Sequence, residues 1–275
     1  MAGTRTTAPP PVSNEEMRLF QRLFYQQIGM HLPESKRALL SSRLSRRLVA
    51  LGLPNFRAYH DLIASPSARD ERQRAIDLIT TNETFFFREI GHFAFLSQKV
   101  LPLFNRSETL RIWSAASSTG EEAYSIAMLL DNERPDAPWE IVGSDISQRV
   151  LESARRGMYP MVRGENISPA DLKKHCLRGT GEYEGQFLVG KHLRERVEFT
   201  QMNLTALPAR LKPFDVVFLR NVIIYFDAPT KAKVLANVTH FVKPGGYLLV
   251  GHSESLHGIQ LPLQMISPSV YRKVG

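Results

Sequence analysis

Between Leu110 and Leu130 a short apolar run, a string of small residues and an amphipathic helix follow one another without a break. This succession limits the folds open to the chain more than any other stretch. Leu110–Trp113 has β character, residues 114–120 read Ser-Ala-Ala-Ser-Ser-Thr-Gly, and from Glu121 apolar or small residues fall at 123, 126, 127 and 130. Strand, small-residue loop and helix open a doubly wound α/β unit. Small side chains let a ligand approach the backbone, and the helix start offers N–H groups without intrahelical partners. The phosphate-binding G-x-G-x-x-G pattern is absent, and Glu121 and Glu122 occupy the helix start. Carboxylates there repel a pyrophosphate, which disfavours a dinucleotide or ATP. A ligand offering hydroxyls or positive charge fits better, and S-adenosylmethionine has both. The competing reading is an ordinary β–α turn that holds nothing.

The alternation continues downstream. Trp139–Asp145 reads as a second strand ending in an acid, 25 residues beyond Gly120. An acid at that place binds ribose hydroxyls in nucleoside-binding α/β folds; as a structural residue it would cap the helix expected over Ser147–Arg156. Val197–Gln201, Phe214–Leu219, Tyr247–Val250 and Val270–Lys273 read as further strands, with a helix over Pro229–Phe241 and a Lys243-Pro-Gly-Gly246 turn. Residues 157–200 interrupt the pattern. A short helix from Ser168 to His175 and weak alternation at Gln186–Val189 and near Leu193 predict a small β-rich insertion, because an unstructured loop of that length is uncommon. Its short strands would leave edges able to accept a peptide strand.

The first third of the chain holds no convincing strand. Helices are expected from Ser13 or Asn14 to Gln27, from Pro33 to Leu51, and over Phe56–Ala64 and Ala68–Thr80. On the second, Leu40, Leu44, Leu48 and Leu51 line one face, and Lys36, Arg43, Arg46 and Arg47 fall within a ~100° arc beside it. That arc is either a solvated face or a docking surface for an acidic helix. The net charge of +8 suits the latter, although nucleic acid and anionic membrane are equally compatible with charge alone. In Thr80–Glu89, three consecutive phenylalanines fit neither helical nor alternating amphipathy; they predict a domain junction that also forms one wall of the ligand cleft. Gly91–Phe104 reads as a helix. The expected organisation is a disordered tail over 1–13, a helical domain over 14–81, a linker and connecting helix over 82–105, and an α/β domain over 106–275 with an inserted β subdomain at about 177–197.

No apolar run approaches the ~18 residues of a membrane span, and no secretory signal precedes the first helix. The single cysteine, Cys176, suits a reducing cytoplasm, and nothing marks it as a nucleophile. No metal ligand is assigned.

Taken together, TTNETFFFRE, RIWSAASSTGEEAYSIAM, GSDIS, RGTG, NL, FLRNVIIYF, KPGGYL and GHSES resemble the motifs of the chemotaxis receptor methyltransferases, the CheR family, in order and spacing over roughly residues 15–273. The resemblance implies an N-terminal all-helical domain, a class I seven-stranded S-adenosylmethionine methyltransferase sheet and a small inserted antiparallel β subdomain. It implies methyl esterification of glutamates on the cytoplasmic helices of chemoreceptors, with S-adenosylhomocysteine as product. Cofactor contacts would fall on Asn82, Thr84, Arg88, Ala115, Glu122, Asp145, Asn203, Leu204, Arg220 and Asn221, with Arg88 and Tyr225 closest to the transferred methyl. Gly179-Thr-Gly181 matches a Gly-x-Gly that accompanies binding of a receptor's C-terminal peptide. Ala123 stands where proline is common, and Glu83 where an apolar residue is common. Two rival readings remain: a nucleic-acid methyltransferase, which lacks its proline-pair motif at Arg220-Asn221-Val222-Ile223, and a non-catalytic cofactor-binding scaffold.

Overall fold

A computed structural model describes residues 11–275. They divide into two units: the residues up to Thr81 together with Tyr225–Asp227, and Asn82–Ile224 together with Ala228–Gly275.

The first unit is helical. Helix α1 (Asn14–Ile28) starts with a full capping box, in which the Ser13 hydroxyl accepts from Glu16 N and the Glu16 carboxylate accepts from Ser13 N. Val12 and Met17, the two positions of a hydrophobic staple around that cap, are both buried. Order therefore begins before Ser13, earlier than the tail expected over 1–13; residues 1–10 of that tail lie outside the described residues. Gly29 ends α1 in the left-handed conformation. Helix α2 (Arg37–Ala50) follows a single 3-10 turn at Glu34–Lys36, so Pro33 begins a tighter turn before the α-helix. Leu40, Leu44 and Leu48 are buried, whereas Leu51 lies beyond the helix end and is exposed. Helices α3 (Phe56–Ala64) and α4 (Arg69–Ile79) complete the unit.

The basic arc on α2 proves to be split. Arg43 Nη1 donates to the carbonyls of Ile79 and Thr80 at 2.8 and 2.9 Å, which ties α2 to the last turn of α4. Arg47 makes a two-pronged pair with Glu71 at 2.8 and 2.6 Å, and Tyr59 Oη donates to the same carboxylate. Both arginines are thus committed to packing helices, while Lys36 and Arg46 stay exposed. Helical periodicity places a residue on an arc; it does not say whether the partner is solvent or the next helix.

The second unit holds a seven-stranded sheet in the order β6-β2-β1-β7-β8-β10-β9. Its strands are β1 (Leu110–Ala115), β2 (Trp139–Asp145), β6 (Val197–Gln201), β7 (Phe214–Leu219), β8 (Val242–Val250), β9 (Leu263–Ser267) and β10 (Val270–Lys273). The first five run parallel, and β10 lies antiparallel to both β8 and β9. Helices α6 (Glu121–Glu133), α7 (Gln148–Arg156) and α10 (Ala228–His240) follow β1, β2 and β7. Strand β8 begins at Val242, five residues earlier than expected, and Pro244-Gly245-Gly246 lies inside it, at a shift of register against β7. A bulge is where a strand tolerates a residue without an N–H.

Residues 82–105 are no linker. Phe86, Phe93, Leu96, Val100 and Leu101 belong to the core of the sheet unit. The expected helix is a chain of pieces: α5 (Ile90–Phe95), a π turn over Leu96–Val100 and a 3-10 turn over Leu101–Leu103. Pro102 cannot donate into an α-helical ladder, so the last turns rearrange around it. The three phenylalanines diverge. Phe85 is partly exposed, Phe86 packs on Tyr159 and Phe187 at 5.0 and 5.7 Å between ring centroids, and Phe87 meets Phe93 at 5.1 Å. Positive φ at Phe87 and Glu89 produces the divergence, which explains why the run fits neither periodicity.

The inserted sheet has three antiparallel strands in the order β3-β5-β4: β3 (Met158–Pro160), β4 (Cys176–Arg178) and β5 (Gln186–Val189). It starts well before 177, because its first strand directly follows α7. Leu193 is buried in the short helix α9 (Lys191–Arg194), not in a strand. Helix α8 (Pro169–His175), capped by Ser168, separates β3 from β4.

The Arg47–Glu71 pair carries a testable consequence. Burial raises the Glu71 carboxyl, but hydrogen bonds from Arg47 and Tyr59 outweigh it and hold the group below its ordinary value of 4.5. Its contribution is therefore present above that value and lost as pH falls through the lower folded value. Glu71→Gln is expected to cost about 2 kcal/mol at neutral pH, and the gap to wild type should close below pH ~4.5 in acid unfolding curves.

Candidate functional site

In an open α/β sheet, a ligand sits beyond the carboxyl ends of the strands where the strand order reverses. Here that point lies between β1 and β7, since the chain proceeds from β1 outward to β2 and β6 and then returns to β7 on the other side. Ala115, Asp145, Asn203 and Arg220 stand at or just beyond the carboxyl ends of β1, β2, β6 and β7.

The loop after β1 is shaped by backbone conformation. Ala116, Ser118 and Gly120 all have positive φ. At Gly120, with φ of 97°, a Cβ would lie 2.9 Å from Ala154 Cβ and 3.1 Å from the Phe199 ring. This glycine lets the loop pack on α7 and β6, a packing duty in place of phosphate binding. Asp145 is buried and fixed by two backbone donors, Ser118 N to Oδ2 at 2.9 Å and Ser147 N to Oδ1 at 3.0 Å. It thus joins the loop to the β2 end and reaches N–H groups before α7. Each carboxylate oxygen accepts more than one hydrogen bond, so this group can also receive ribose hydroxyls.

Across the reversal point lies a buried charge group. Arg220 Nη1 donates to Glu122 Oε2 at 2.8 Å, its Nη2 lies 3.0 Å from Glu89 Oε2, and the same Nη2 donates to the Arg88 carbonyl. Ser114 Oγ donates to Glu122 Oε1 at 2.6 Å. Burial pushes the Glu122 carboxyl up against the pull of Arg220 and Ser114. For Glu89 burial also acts upward, but the charge of Arg220 prevails and the group titrates below its usual range. Glu122 is therefore no bare carboxylate at a helix start, as the motif alone had suggested. With both glutamates ionised, two carboxylates around one guanidinium leave one net negative charge.

The neighbouring Glu121 is buried too, accepts from Thr119 Oγ1 at 2.6 Å, and is pushed up by burial. Arg163, 3.8 Å from Glu121, donates to the Thr84 carbonyl, and Asn82 O accepts from Ser118 Oγ at 3.0 Å. The 82–84 segment is thereby tied to the β1 loop. Glu83 faces solvent, which resolves the orientation of the carboxylate between Asn82 and Thr84. Arg88 lies over the Phe85 ring at 5.7 Å and donates to Glu83 O. Asn203 Oδ1 accepts from Thr205 N and Oγ1, and Leu204 is buried.

Tyr225 falls in the helical unit, whereas Arg88 falls in the sheet unit. Within its own unit, the Tyr225 carbonyl accepts from His31 N at 2.9 Å, and Phe226 bridges to Met30. Gly179 and Gly181 lie in the turn between β4 and β5; a Cβ on Gly179 would lie 2.0 Å from the Tyr183 carbonyl oxygen, so the turn itself requires glycine there.

One residue escaped sequence reasoning. Glu254 is buried, its Oε2 accepts from Asn221 N and Gly251 N at 2.7 Å each, and its Oε1 accepts from Ile223 N at 2.9 Å. Asn221 has φ of 56°, a left-handed conformation that asparagine tolerates. The carboxylate holds the Arg220–Ile223 loop open in that shape. In the sequence the only signal for Glu254 is an acid shortly after a strand end, within GHSES. Glu254→Gln presents an N–H group to backbone donors. It is expected to weaken S-adenosylhomocysteine binding about 10-fold by calorimetry, with the circular dichroism spectrum retained; unchanged affinity would reject the role.

The arrangement suits a cationic nucleoside and does not suit a pyrophosphate. Asp145 is a buried acid at the end of β2, the α6 start carries acids, and the charge group nearby carries net negative charge when its acids are ionised. The comparisons point the same way. Residues 15–80 match the model described as CheR methyltransferase, all-alpha domain, and residues 82–272 match CheR methyltransferase, SAM binding domain. The chain is 40% identical over 263 residues to the chemotaxis protein methyltransferase of Escherichia coli K12, covering 94% of this chain and 91% of that protein. It is also 40% identical over 278 residues to chemotaxis protein methyltransferase 2 of Pseudomonas aeruginosa, covering 97% and 98%. Two family domains in order, on a sheet whose strand ends carry this acid-lined site, place the chain in the CheR methyltransferase family, with S-adenosylmethionine as its cofactor.

Proposed function

We propose that this protein esterifies glutamate side chains on the cytoplasmic helices of chemoreceptors, setting sensory adaptation from the cytoplasm at membrane receptor arrays. The observation that carries this reading is the match to chemotaxis protein methyltransferases over 94–97% of the chain, together with a strand-end site whose acids suit a cationic nucleoside. Among the described residues no helix is long and apolar enough to cross a membrane.

When bound, S-adenosylmethionine supplies an electrophilic methyl group on a sulfonium. Asp145 would accept its ribose hydroxyls, and Asn203 with Leu204 would take the adenine. Glu122 and Arg220 would face its amino acid end, with Asn82, Thr84, Ala115 and Asn221 lining the remainder. An acceptor glutamate has a pKa of about 4.3 and is ionised at neutral pH, so no general base is needed. Opposite charges neutralise as the methyl moves, and strong stabilisation of the separated carboxylate would slow the step. The chain therefore acts by positioning and partial desolvation. Arg88 would orient the carboxylate, and Tyr225 would hold the acceptor.

Radiolabelled methyl transfer to receptor-containing membranes tests this. The product should lose label in mild base, as an ester does and an N-methyl group does not. Arg88→Ala should lower the rate at least ~100-fold with a smaller effect on cofactor affinity. Wild-type turnover would remove Arg88 from the mechanism, and base-stable label would remove the esterification reading.

Docking would use the exposed part of the basic helix, Lys36 and Arg46, against an acidic receptor helix. The inserted sheet would add a receptor's C-terminal peptide along the edge of β4 or β3, the two outer strands. Calorimetry with a receptor cytoplasmic fragment, with and without its tail, separates the two. Lys36→Glu combined with Arg46→Glu should weaken binding of both fragments, most at low salt. Loss of the tail should weaken wild-type binding; equal affinities would reject the tail site.

A further inference from the structure

Two histidines and an aspartate meet where the last turns of α6 approach the end of α8 and the start of α9. His175, the last residue of α8, is fully buried, and His192 lies 17 residues on, at the start of α9. His175 Nδ1 and His192 Nε2 are 3.3 Å apart, and Asp131 Oδ2 lies 3.9 Å from His175 Nδ1. One ligand atom from each of the three residues falls within 4.8 Å of the others. About 14 Å of helix separates Asp131 from Glu122, at 1.5 Å per residue, so this cluster is distinct from the cofactor site.

The hydrogen bonds around His175 assign its tautomer. Asn132 Nδ2 donates to Asp171 Oδ1 at 2.7 Å, which fixes the amide orientation. Asn132 Oδ1 must then accept, and it does so from His175 Nε2 at 2.9 Å and Lys174 Nζ at 2.8 Å. His175 therefore carries its proton on Nε2 and directs the bare lone pair of Nδ1 toward His192 and Asp131. A metal-ligating histidine uses this pattern, donating its second nitrogen to an oxygen that orients the ring. A separation of 3.3 Å also matches the edge between two nitrogens on one tetrahedral zinc, with Zn–N of about 2.05 Å.

The backbone makes room for the pair. Gly190 N donates to His175 O at 2.6 Å, and a Cβ at Gly190 would lie 2.5 Å from His192 Cε1. Glycine is required there for the His192 ring to lie where it does.

We propose that Asp131, His175 and His192 bind a divalent transition-metal ion of the zinc class, with water in the remaining position. Two imidazoles and one carboxylate suit that class over calcium or magnesium, which prefer oxygen ligands. The ion would displace the exposed Lys174 ammonium, which lies 3.2 Å from Asp131 Oδ2. It would tie the end of α6 to the end of α8 and to α9, on either side of β4 and β5, and so brace the inserted sheet. A second cluster, Glu89, His92 and His252, is a poorer candidate, because Glu89 is already shared with the guanidinium of Arg220.

Cobalt(II) titration of the full, untagged chain at neutral pH tests the proposal. One equivalent should give the visible absorption of a low-coordinate cobalt site, zinc should displace it, and zinc should raise the melting temperature. His192→Ala, at an exposed position, and Asp131→Asn should each abolish the band and the thermal shift. Asn132→Leu should weaken binding about 10- to 100-fold, and His252→Ala should leave it unchanged. Failure of wild type to bind cobalt overturns the proposal, as does a band that survives His192→Ala or disappears with His252→Ala. These readouts are independent of methyl transfer.

Discussion

The guanidinium of Arg220 lies at the end of β7 between Glu122 and Glu89, with the Arg88 carbonyl as a third acceptor. Three pieces of the sheet unit distant in sequence are joined there: the segment before α5, the start of α6 and the loop after β7. A buried ion group of this kind seldom adds net stability, because desolvation consumes most of the Coulomb gain, but removing one member leaves a buried charge unpaired. Its value is geometric. It ties the turn that carries Arg88 to the start of α6 and to the end of β7, and with both acids ionised it leaves a negative balance there.

Glu254 serves the same purpose for the backbone. By accepting from Asn221, Ile223 and Gly251, it holds the Arg220–Ile223 loop in a shape that includes a left-handed asparagine. Asp145 does likewise for the loop after β1. The strand-end loops are thus built on acids whose oxygens organise backbone N–H groups. This differs from a glycine-rich phosphate loop, in which the N–H groups themselves receive the ligand.

Much of the fold was legible. Strands β2, β6, β7 and β10 agree with the bounds read from residue type, because a buried strand is an apolar run with turn residues at each end. Strand β9 was missed since most of it is exposed and Met265 and Ile266 face solvent, so no alternation marks it. Strands β3 and β4 have three residues each, too few to show a period. The π and 3-10 turns before Phe104 follow from Pro102, but a helical pattern does not reveal how the chain accommodates it. The Phe85-Phe86-Phe87 run resisted either period because a left-handed residue within it sends neighbouring rings in different directions.

By itself the sequence determined the doubly wound class, the helical first domain, the unsuitability of the α6 start for a pyrophosphate and, through ordered motifs, the family. These depend on local spacing and on charges near a helix terminus, which neighbours in the chain decide. Only the tertiary structure decided which charged groups are committed and to what. Arg43 and Arg47 share an arc with Lys36 and Arg46, yet they pack against α4 while the other two face solvent. Glu122 takes Arg220, Glu254 takes three backbone N–H groups, and His175 meets His192 across two intervening strands and the turn between them. A hydrogen bond between residues 17, 31 or 98 positions apart leaves no periodic trace in the chain. It exists because burial makes an unpaired polar group costly, and the fold supplies the partner.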